Sequence, residues 1–277
     1  DAASQVLVTE YVSQSKNIIE LHSGQKAMPL SRAKNIARLL ASYHFDVRDQ
    51  IAEQSSLQFF YQQVPWAIQM GYNNGLRWSA GIPQNTNHQI AQIIRQNPEY
   101  TRLMQQLAED WEATSLIHGD IKWVNFIVTE PDTPQEKVQL IDWEIADIGD
   151  PLWDVAGAFQ SFLVDWIFAA DYPTAYQLMM QGLQPGSMAV DKPALQAFWK
   201  AYSEARKFTT DEDWSALMKT IRFTGARLVQ MAVESNQFQE VLQPNTGRLL
   251  QLSLALLSNP ERLAEELLGI TTNVLVS

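Results

Sequence analysis

The centre of the chain carries three motifs of polar residues, which are His118-Gly119-Asp120-Ile121-Lys122-Trp123-Val124-Asn125, Asp142-Trp143-Glu144 and Asp150-Pro151-Leu152-Trp153-Asp154. Short apolar segments typical of β-strands separate them, namely Leu116-Ile117, Phe126-Ile127-Val128 and Val138-Gln139-Leu140-Ile141. The first motif therefore lies in a loop between two predicted strands, and Asp142 directly follows a third. We expect the polar side chains of the first two motifs to meet at the ends of these strands.

The oxygen atoms of this cluster suit a magnesium ion. Asn125, Asp142 and Glu144 offer an amide and two carboxylates, and Mg²⁺ is usually held by one or two carboxylates together with substrate phosphates. Asp120 lies five positions from Asn125, near enough to reach the same site without ligating the metal. It can therefore orient an attacking hydroxyl or accept its proton. A metal ion that neutralises phosphate charge and a carboxylate that orients the nucleophile are the requirements of phosphoryl transfer.

Helices are predicted for most of the remaining chain. On the N-terminal side, residues 5–12 are a predicted strand and residues 13–17 a loop. A helix is expected to begin at a Ser31 cap, residues 71–87 to form a long loop, and a further helix to end near Thr114.

On the C-terminal side the chain is predicted to be helical throughout. Asp191 with Pro193 is a predicted helix start, and Asn259-Pro260 opens a last helix that Gly269 would close. Asp150 is predicted to be a turn or cap residue before Pro151.

Composition excludes several classes of protein. The net charge is −11, from 20 Lys and Arg against 31 Asp and Glu, and a nucleic-acid-binding protein needs clustered cations instead. The absence of Cys excludes disulfides, thiolate nucleophiles and Cys-ligated metals. We expect a cytoplasmic protein with no membrane segment, because the most apolar stretch, residues 155–170, is interrupted by Gln160 and Asp165. The chain begins without Met, and we expect it to be part of a longer polypeptide.

The patterns H-G-D-x-x-x-x-N, I-D-W-E and G-D-P-x-x-D-x-A closely resemble those of the aminoglycoside phosphotransferase and choline kinase family, which is related to the eukaryotic protein kinases. The resemblance implies that Asp120 is the catalytic aspartate. It also implies that Asn125 and Asp142 hold the metal of an ATP–Mg²⁺ complex, and that Glu144 is the acidic residue that often follows. Lys122 lies where protein kinases have a lysine near the transferred phosphate.

Further roles follow from the same resemblance. His118 matches the histidine that braces the catalytic loop, and Asp154 resembles the buried helix aspartate that holds the backbone of that loop. The segment Leu7-Val8-Thr9-Glu10-Tyr11-Val12 resembles the hinge strand that binds adenine, with Glu10, Tyr11 and Val12 as the expected contacts.

The fold implied by the resemblance is α+β and protein-kinase-like. It has a mostly helical large (C-terminal) lobe, with short β-strands around the catalytic loop. Residues 1–12 would be the hinge strand and a remnant of the small lobe, and residues 13–277 the large lobe. Most of the small lobe is missing from this sequence, because no Gly-rich phosphate loop and no strand lysine precede the hinge.

Three functions remain open at this point. The first is a kinase that phosphorylates the hydroxyl of a small molecule. The resemblance makes cationic amines the default acceptors, and the negative net charge of the chain mildly agrees with a cationic acceptor. The second is a Ser/Thr kinase of a peptide in natural-product biosynthesis. Lys122 favours keeping this alternative, because protein kinases have a lysine at the matching position. The third is an inactive pseudokinase or scaffold whose large lobe binds a partner protein.

Other conspicuous residues receive a structural interpretation. Five aromatic residues could form a cage for a quaternary amine, but their helical spacing favours the hydrophobic core. They are Trp153, Phe159, Phe162, Trp166 and Phe168. No role is assigned to His22, His44 or His88.

Overall fold

The structure of the protein is a computed structural model that describes residues 11–22, 27–53, 60–73, 86–169 and 190–271. For residues 45–53, 165, 166, 168 and 169 it describes the backbone alone.

Most of the described residues are helical, as predicted. The helices are α1 (Ile18–His22), α2 (Leu30–Glu53), α3 (Trp66–Gln69), α4 (Thr86–Arg95), α5 (Pro98–Glu109), α6 (Pro151–Ala169), α7 (Lys192–Arg206), α8 (Thr210–Asn236), α9 (Pro244–Ser258) and α10 (Pro260–Leu263). A π-helical turn, Ala264–Leu268, continues α10. None of the described helices combines the length and the apolar character needed to cross a membrane.

Five short strands form two small antiparallel sheets. The strands are β1 (Lys16–Asn17), β2 (Ser115–Ile117), β3 (Phe126–Thr129), β4 (Lys137–Leu140) and β5 (Asp147–Gly149). One sheet has the order β1-β3-β4, and the other pairs β2 with β5. The three strands predicted in the centre of the chain are confirmed as β2, β3 and β4. Strands β1 and β5 were not predicted, because they are too short to show an alternating pattern.

Helix starts and stops follow local capping chemistry. The Asp191 carboxylate accepts the Ala194 N–H at 3.2 Å and caps α7, as predicted. Asp150 Oδ1 accepts the Leu152 N–H at 3.0 Å at the start of α6, which confirms its predicted role as a cap. Gly269 ends the π-helical turn with a φ of 69°, a left-handed conformation that Gly adopts at little cost.

Four predicted boundaries were wrong. Tyr11 and Val12, the only described residues of the predicted strand 5–12, are not in a strand. The predicted loop 13–17 contains β1, which is held by tertiary pairing with β3. Ser31 lies inside α2, because the Ala33 N–H already bonds the carbonyl of Pro29. Helix α5 ends at Glu109, well before Thr114.

The predicted loop 71–87 lies mostly outside the described residues. Its last two residues, Thr86 and Asn87, belong to α4.

The core lies among the long helices. Helix α2 buries one face, and α8 packs along α9 and α6. The aromatic residues Trp153, Phe159 and Phe162 are buried, so the core interpretation is confirmed for them, whereas the side chains of Trp166 and Phe168 lie outside the described part of the chain.

A buried arginine ties α2 to the β3–β4 hairpin. Arg32 is 2% exposed, and its Nη2 lies 2.7 Å from Glu136 Oε2 and 2.9 Å from Asp132 Oδ1. Because Arg32 Nε also donates to Glu136 Oε1 at 3.2 Å, the Arg32–Glu136 contact is bidentate and sets the angle between hairpin and helix.

Candidate active site

Two loops lie side by side because of the way the sheets are paired. Residues 118–125 lead from β2 to β3, and residues 141–146 lead back from β4 to β5. In the two sheets, Ile117 pairs with Asp147, and Phe126 pairs with Leu140. Both loops therefore run between the two sheets, in opposite directions. This arrangement places the backbone of the first motif beside Ile141, the residue before the second motif.

Backbone and imidazole hydrogen bonds join the two loops at Ile141. Its N–H donates to the carbonyl of Asn125 at 2.9 Å, and its carbonyl lies 2.8 Å from His118 Nε2. The Asp120 N–H donates to His118 Nδ1 at 3.2 Å, so the ring hydrogen is on Nε2 and points to Ile141. His118 thus braces both loops, in the position that the family resemblance implied.

The buried carboxylate of Asp154 holds the start of the first loop. It accepts the N–H of His118 at 2.7 Å and that of Gly119 at 2.9 Å. It also accepts the Tyr43 hydroxyl and lies 3.2 Å from His44 Nε2. One carboxylate on α6 therefore connects α2 to the loop backbone, because it accepts hydrogen bonds from both.

The protonation states in this network are mutually consistent. Burial would raise the pKa of Asp154, but the hydrogen bonds from His44, Tyr43 and the His118 backbone outweigh it and lower that pKa. Burial lowers the pKa of His44, so a neutral imidazole donates from Nε2 to the ionised Asp154. His44 Nδ1 then accepts from the Tyr202 hydroxyl, 3.1 Å away. Burial also raises the pKa of Tyr43 and Tyr202, which keep their protons.

Gly119 makes a sharp turn before Asp120 possible. Its φ is +81°, and a Cβ at this position would lie 3.0 Å from the carbonyl oxygen of Ile145 in the second loop. Both the backbone angle and the space therefore favour Gly. Asp142, in the second loop, also has a positive φ of 68°, a conformation that Asp tolerates better than most residues.

The two carboxylate oxygens of Asp120 have different surroundings. Oδ2 lies 3.0 Å from Lys122 Nζ and accepts a 3.4 Å hydrogen bond from Asn125 Nδ2, which also donates to the Asp120 carbonyl at 2.8 Å. Oδ1 is buried and has no hydrogen-bond partner among the described residues, although the side chain as a whole is 17% exposed. One oxygen is thus held in place, and the other has no donor within the ranges that the structure describes.

The three residues predicted to bind metal differ in how deeply they are buried. Asn125 is buried, with its Nδ2 turned to Asp120. Asp142 is exposed and follows Ile141, whose N–H donates to the carbonyl of Asn125. Glu144 is exposed in the turn that follows. No group of three His, Asp or Glu side chains that could hold a metal occurs in the described part of the chain. An amide and one carboxylate still fit Mg²⁺, because phosphates and water complete its coordination.

The predicted adenine contacts are only partly described. Glu10 lies outside the described residues, and Tyr11 is 88% exposed. Val12 lines an open groove of about 740 Å³, together with Arg38 of α2 and Lys137 of β4. The residues that line this groove belong to α2 and the β3–β4 hairpin besides Val12, and none of these lining residues lies in the two site loops.

Four side chains that are distant in sequence support the site and were not predicted. These are Tyr43, His44, Tyr202 and Arg227, which lie on α2, α7 and α8. His44 is four positions after the buried Leu40, so a polar residue on an apolar helix face was the available signal. Arg227 lies within the apolar segment Gly225-Ala226-Arg227-Leu228-Val229, which is a comparable signal.

Comparison with known proteins identifies the family. The profile of the phosphotransferase enzyme family matches residues 27–207, which is more than half of the chain. A solved structure of an ethanolamine kinase from Plasmodium vivax is similar with a TM-score of 0.40 and 13% identity. The match covers 88% of this chain but 63% of that kinase. A search of curated proteins found no match. The family resemblance inferred from the three motifs is therefore confirmed by the profile, and the chain belongs to the phosphotransferase enzyme family.

Proposed function

We propose that this protein transfers the terminal phosphoryl group of ATP to the hydroxyl of a small molecule, with Asp120 as the catalytic aspartate. The observation that carries the proposal is the asymmetry of this carboxylate. Oδ2 is held by Lys122 and Asn125, whereas the buried Oδ1 has no donor within the described structure. A buried carboxylate oxygen without a donor is costly, and an acceptor hydroxyl placed there would satisfy it.

The role of Asp120 would be to orient the acceptor and take its proton. A hydroxyl that donates to Oδ1 has its oxygen lone pairs free to attack phosphorus. As the new oxygen–phosphorus bond forms, the hydroxyl proton passes to Asp120, and the bond between the γ-phosphorus and the departing ADP breaks. The hydrogen bonds that the Gly119 N–H and Asn125 Nδ2 donate, and the one that His118 Nδ1 accepts from Asp120, keep the loop rigid during this step, so little reorganisation is needed.

Asn125 and Asp142 would hold Mg²⁺, with Glu144 as a further carboxylate at the exposed end of the second loop. When bound, the ion would neutralise charge on the nucleotide phosphates. Asn125 Nδ2 is engaged by Asp120, which leaves its Oδ1 for a metal. Glu10, Tyr11 and Val12 remain the proposed adenine contacts, with residues 13–277 as the large lobe.

Lys122 would offset charge on the transferred group. It is 42% exposed and sits 3.0 Å from Asp120 Oδ2, so its flexible side chain can swing toward a phosphate without disturbing the core. We propose that a bound phosphate draws Lys122 away from Asp120.

The acceptor class rests on chemistry alone. The net charge of −11 favours cationic acceptors, so amino alcohols and aminosugars are the first choice. A peptide Ser or Thr hydroxyl would meet the same Asp120 oxygen, and a scaffold without activity would leave that oxygen unused.

The experiment that tests the proposal is a transfer assay with ATP and Mg²⁺ on amino alcohols, aminosugars and Ser/Thr peptides, with mass spectrometry to detect a gained phosphoryl group. We expect an amine acceptor to be modified. The Asp120→Asn variant should lose about 10²- to 10⁴-fold in rate, the typical contribution of a general base. Asp110→Asn, which changes an exposed carboxylate paired with Arg222, is the matched control and should keep the rate. If only the peptide gains a phosphoryl group, the acceptor is a peptide and not a small amine. If the protein modifies no acceptor, or if Asp120→Asn is as active as the unmodified protein, the proposal is wrong.

A further inference from the structure

Arg227 is a buried cation in the middle of α8 whose guanidinium contacts neutral groups. It is 1% exposed. Its Nη1 donates to the Gly119 carbonyl, its Nη2 to the Ile121 carbonyl and its Nε to Gln160 Oε1, each at 2.9 Å. All three hydrogen bonds to the described residues therefore go to uncharged oxygens.

A charge in this position is costly. Burial lowers the pKa of Arg227, and the more distant carboxylates of Asp120, Glu234 and Asp154 oppose that shift. An apolar side chain of similar volume would fill the same space without losing the hydration of a cation. Packing alone therefore does not account for an arginine here.

The two carbonyls that Arg227 binds flank Asp120. The Gly119 carbonyl belongs to the peptide just before Asp120, and the Ile121 carbonyl follows one residue later. Because a guanidinium is planar and rigid, its hydrogen bonds to both carbonyls fix the spacing of these peptides. The backbone of Asp120 between them can then move very little.

The fork itself is held in place by α6. The guanidinium carbon lies 5.1 Å from the centre of the Trp153 ring, and Trp153 Nε1 also donates to the Gly119 carbonyl at 3.3 Å. Gly157 leaves the necessary room, because a Cβ there would lie 2.7 Å from the Ile121 oxygen and 3.2 Å from Arg227 Nη2.

We infer that Arg227 is a positioning residue of the active site, which holds the backbone on both sides of Asp120 so that its free carboxylate oxygen faces the acceptor. This inference rests on the proposed function of Asp120. Since Arg227 touches neither the acceptor nor the nucleotide in this scheme, its loss should lower kcat and leave the KM for ATP unchanged.

The test compares Arg227→Gln and Arg227→Lys with Arg222→Gln, a matched control on the same helix whose partner is the exposed Asp110. The first measurement is hydrogen exchange of the backbone amides of residues 118–125, which needs no substrate. We expect faster exchange in that loop for Arg227→Gln, a smaller increase for Arg227→Lys, and none for Arg222→Gln. A purely structural role would instead raise exchange across α6 and α8 together.

The second measurement is steady-state phosphoryl transfer. Arg227→Gln should lose about 100-fold in kcat, the size of effect that a misplacement of about 1 Å produces. Arg227→Lys should recover part of this loss, because an ammonium can still donate to one or both carbonyls. If Arg227→Gln does not fold, the lysine variant decides by the same two measurements. Unchanged loop exchange, or a kcat equal to that of the control, overturns the inference. If the unmodified protein transfers no phosphate, the proposed function fails, and loop exchange alone still decides the role of Arg227.

Discussion

The Asp154 carboxylate accepts the backbone N–H of His118 at 2.7 Å, across 36 positions of sequence. Helix α6, which follows both site loops in the sequence, thus holds His118, the first residue of the first site loop. The same carboxylate receives Tyr43 and His44 from α2, so three separate parts of the chain meet at one buried charge. The stability of the fold and the geometry of the site are therefore linked at Asp154.

Replacement of Asp154 by Asn should destabilise the protein strongly. The amide has one acceptor oxygen instead of two, and its NH₂ group would face donors that now have no acceptor. We expect the free energy of unfolding to fall by about 3 kcal/mol, measured by urea denaturation. The control Asp110→Asn removes an exposed ion pair with Arg222 and should cost less than about 1 kcal/mol. Equal losses in the two variants would contradict this account.

The protein should lose stability in mildly acidic solution because of His44. Its pKa in the folded state is lowered from the ordinary 6.5, so the unfolded chain binds more protons than the folded chain just below that pH. Stability is fully present above about pH 6.5 and declines as the pH falls toward the lowered value. The lowered pKa of Asp154 adds a further loss below its ordinary value of 3.8.

Urea denaturation at pH 7.5 and 5.5 measures the histidine contribution. We expect the free energy of unfolding to drop by up to about 1 kcal/mol between them. His44→Gln should lack this part of the drop, whereas His88→Gln, which changes an exposed residue of α4, should retain it. A drop of the same size in both variants would show that His44 is not responsible.

Replacement of Gly119 by Ala should lower the rate of phosphoryl transfer by more than the loss of stability accounts for. The φ of +81° and the 3.0 Å approach to the Ile145 carbonyl both oppose a Cβ, and we expect a loss of about 1–2 kcal/mol. Gly269→Ala introduces the same left-handed strain at φ +69°, where the nearest atoms belong to the flexible side chains of Gln196 and Lys192 on α7.

Thermal denaturation and the transfer assay together distinguish the two glycine variants. Both should melt at lower temperature, and only Gly119→Ala should transfer phosphate more slowly under conditions in which both are folded. A slow rate in both would mean that general instability causes the loss.

Replacement of Lys122 by Ala should reduce transfer without affecting the fold. The side chain is 42% exposed and pairs with Asp120 at the surface of the site, so the change in stability should lie within about 0.5 kcal/mol. Loss of one charged donor to the transferred phosphate should lower kcat by about 10²-fold. The control is Lys200→Ala, at an exposed position of α7, which should leave kcat unchanged. A kcat equal to that of this control would remove Lys122 from the mechanism.

Local chemistry made much of the site predictable. The apolar segments that became β2, β3 and β4, the Asp150 and Asp191 caps and the Gly269 stop all depend on groups a few residues apart. The proximity of Asp120, Asn125 and the start of the second loop was also foreseeable, because strand ends bring loop residues together. The errors at Ser31 and Thr114 concern boundaries, which depend on how neighbouring helices pack.

The order of the amino acids was enough to predict the available chemistry: an aspartate, an asparagine and a histidine in a loop between strands, in a chain of mostly helical character. The distant groups that hold that loop could be identified from the folded chain alone. Arg227 binds a carbonyl 108 positions away, and His44 meets Asp154 across 110 positions. Such pairs arise because a buried polar group must find a partner wherever packing places one, and packing depends on the whole chain at once.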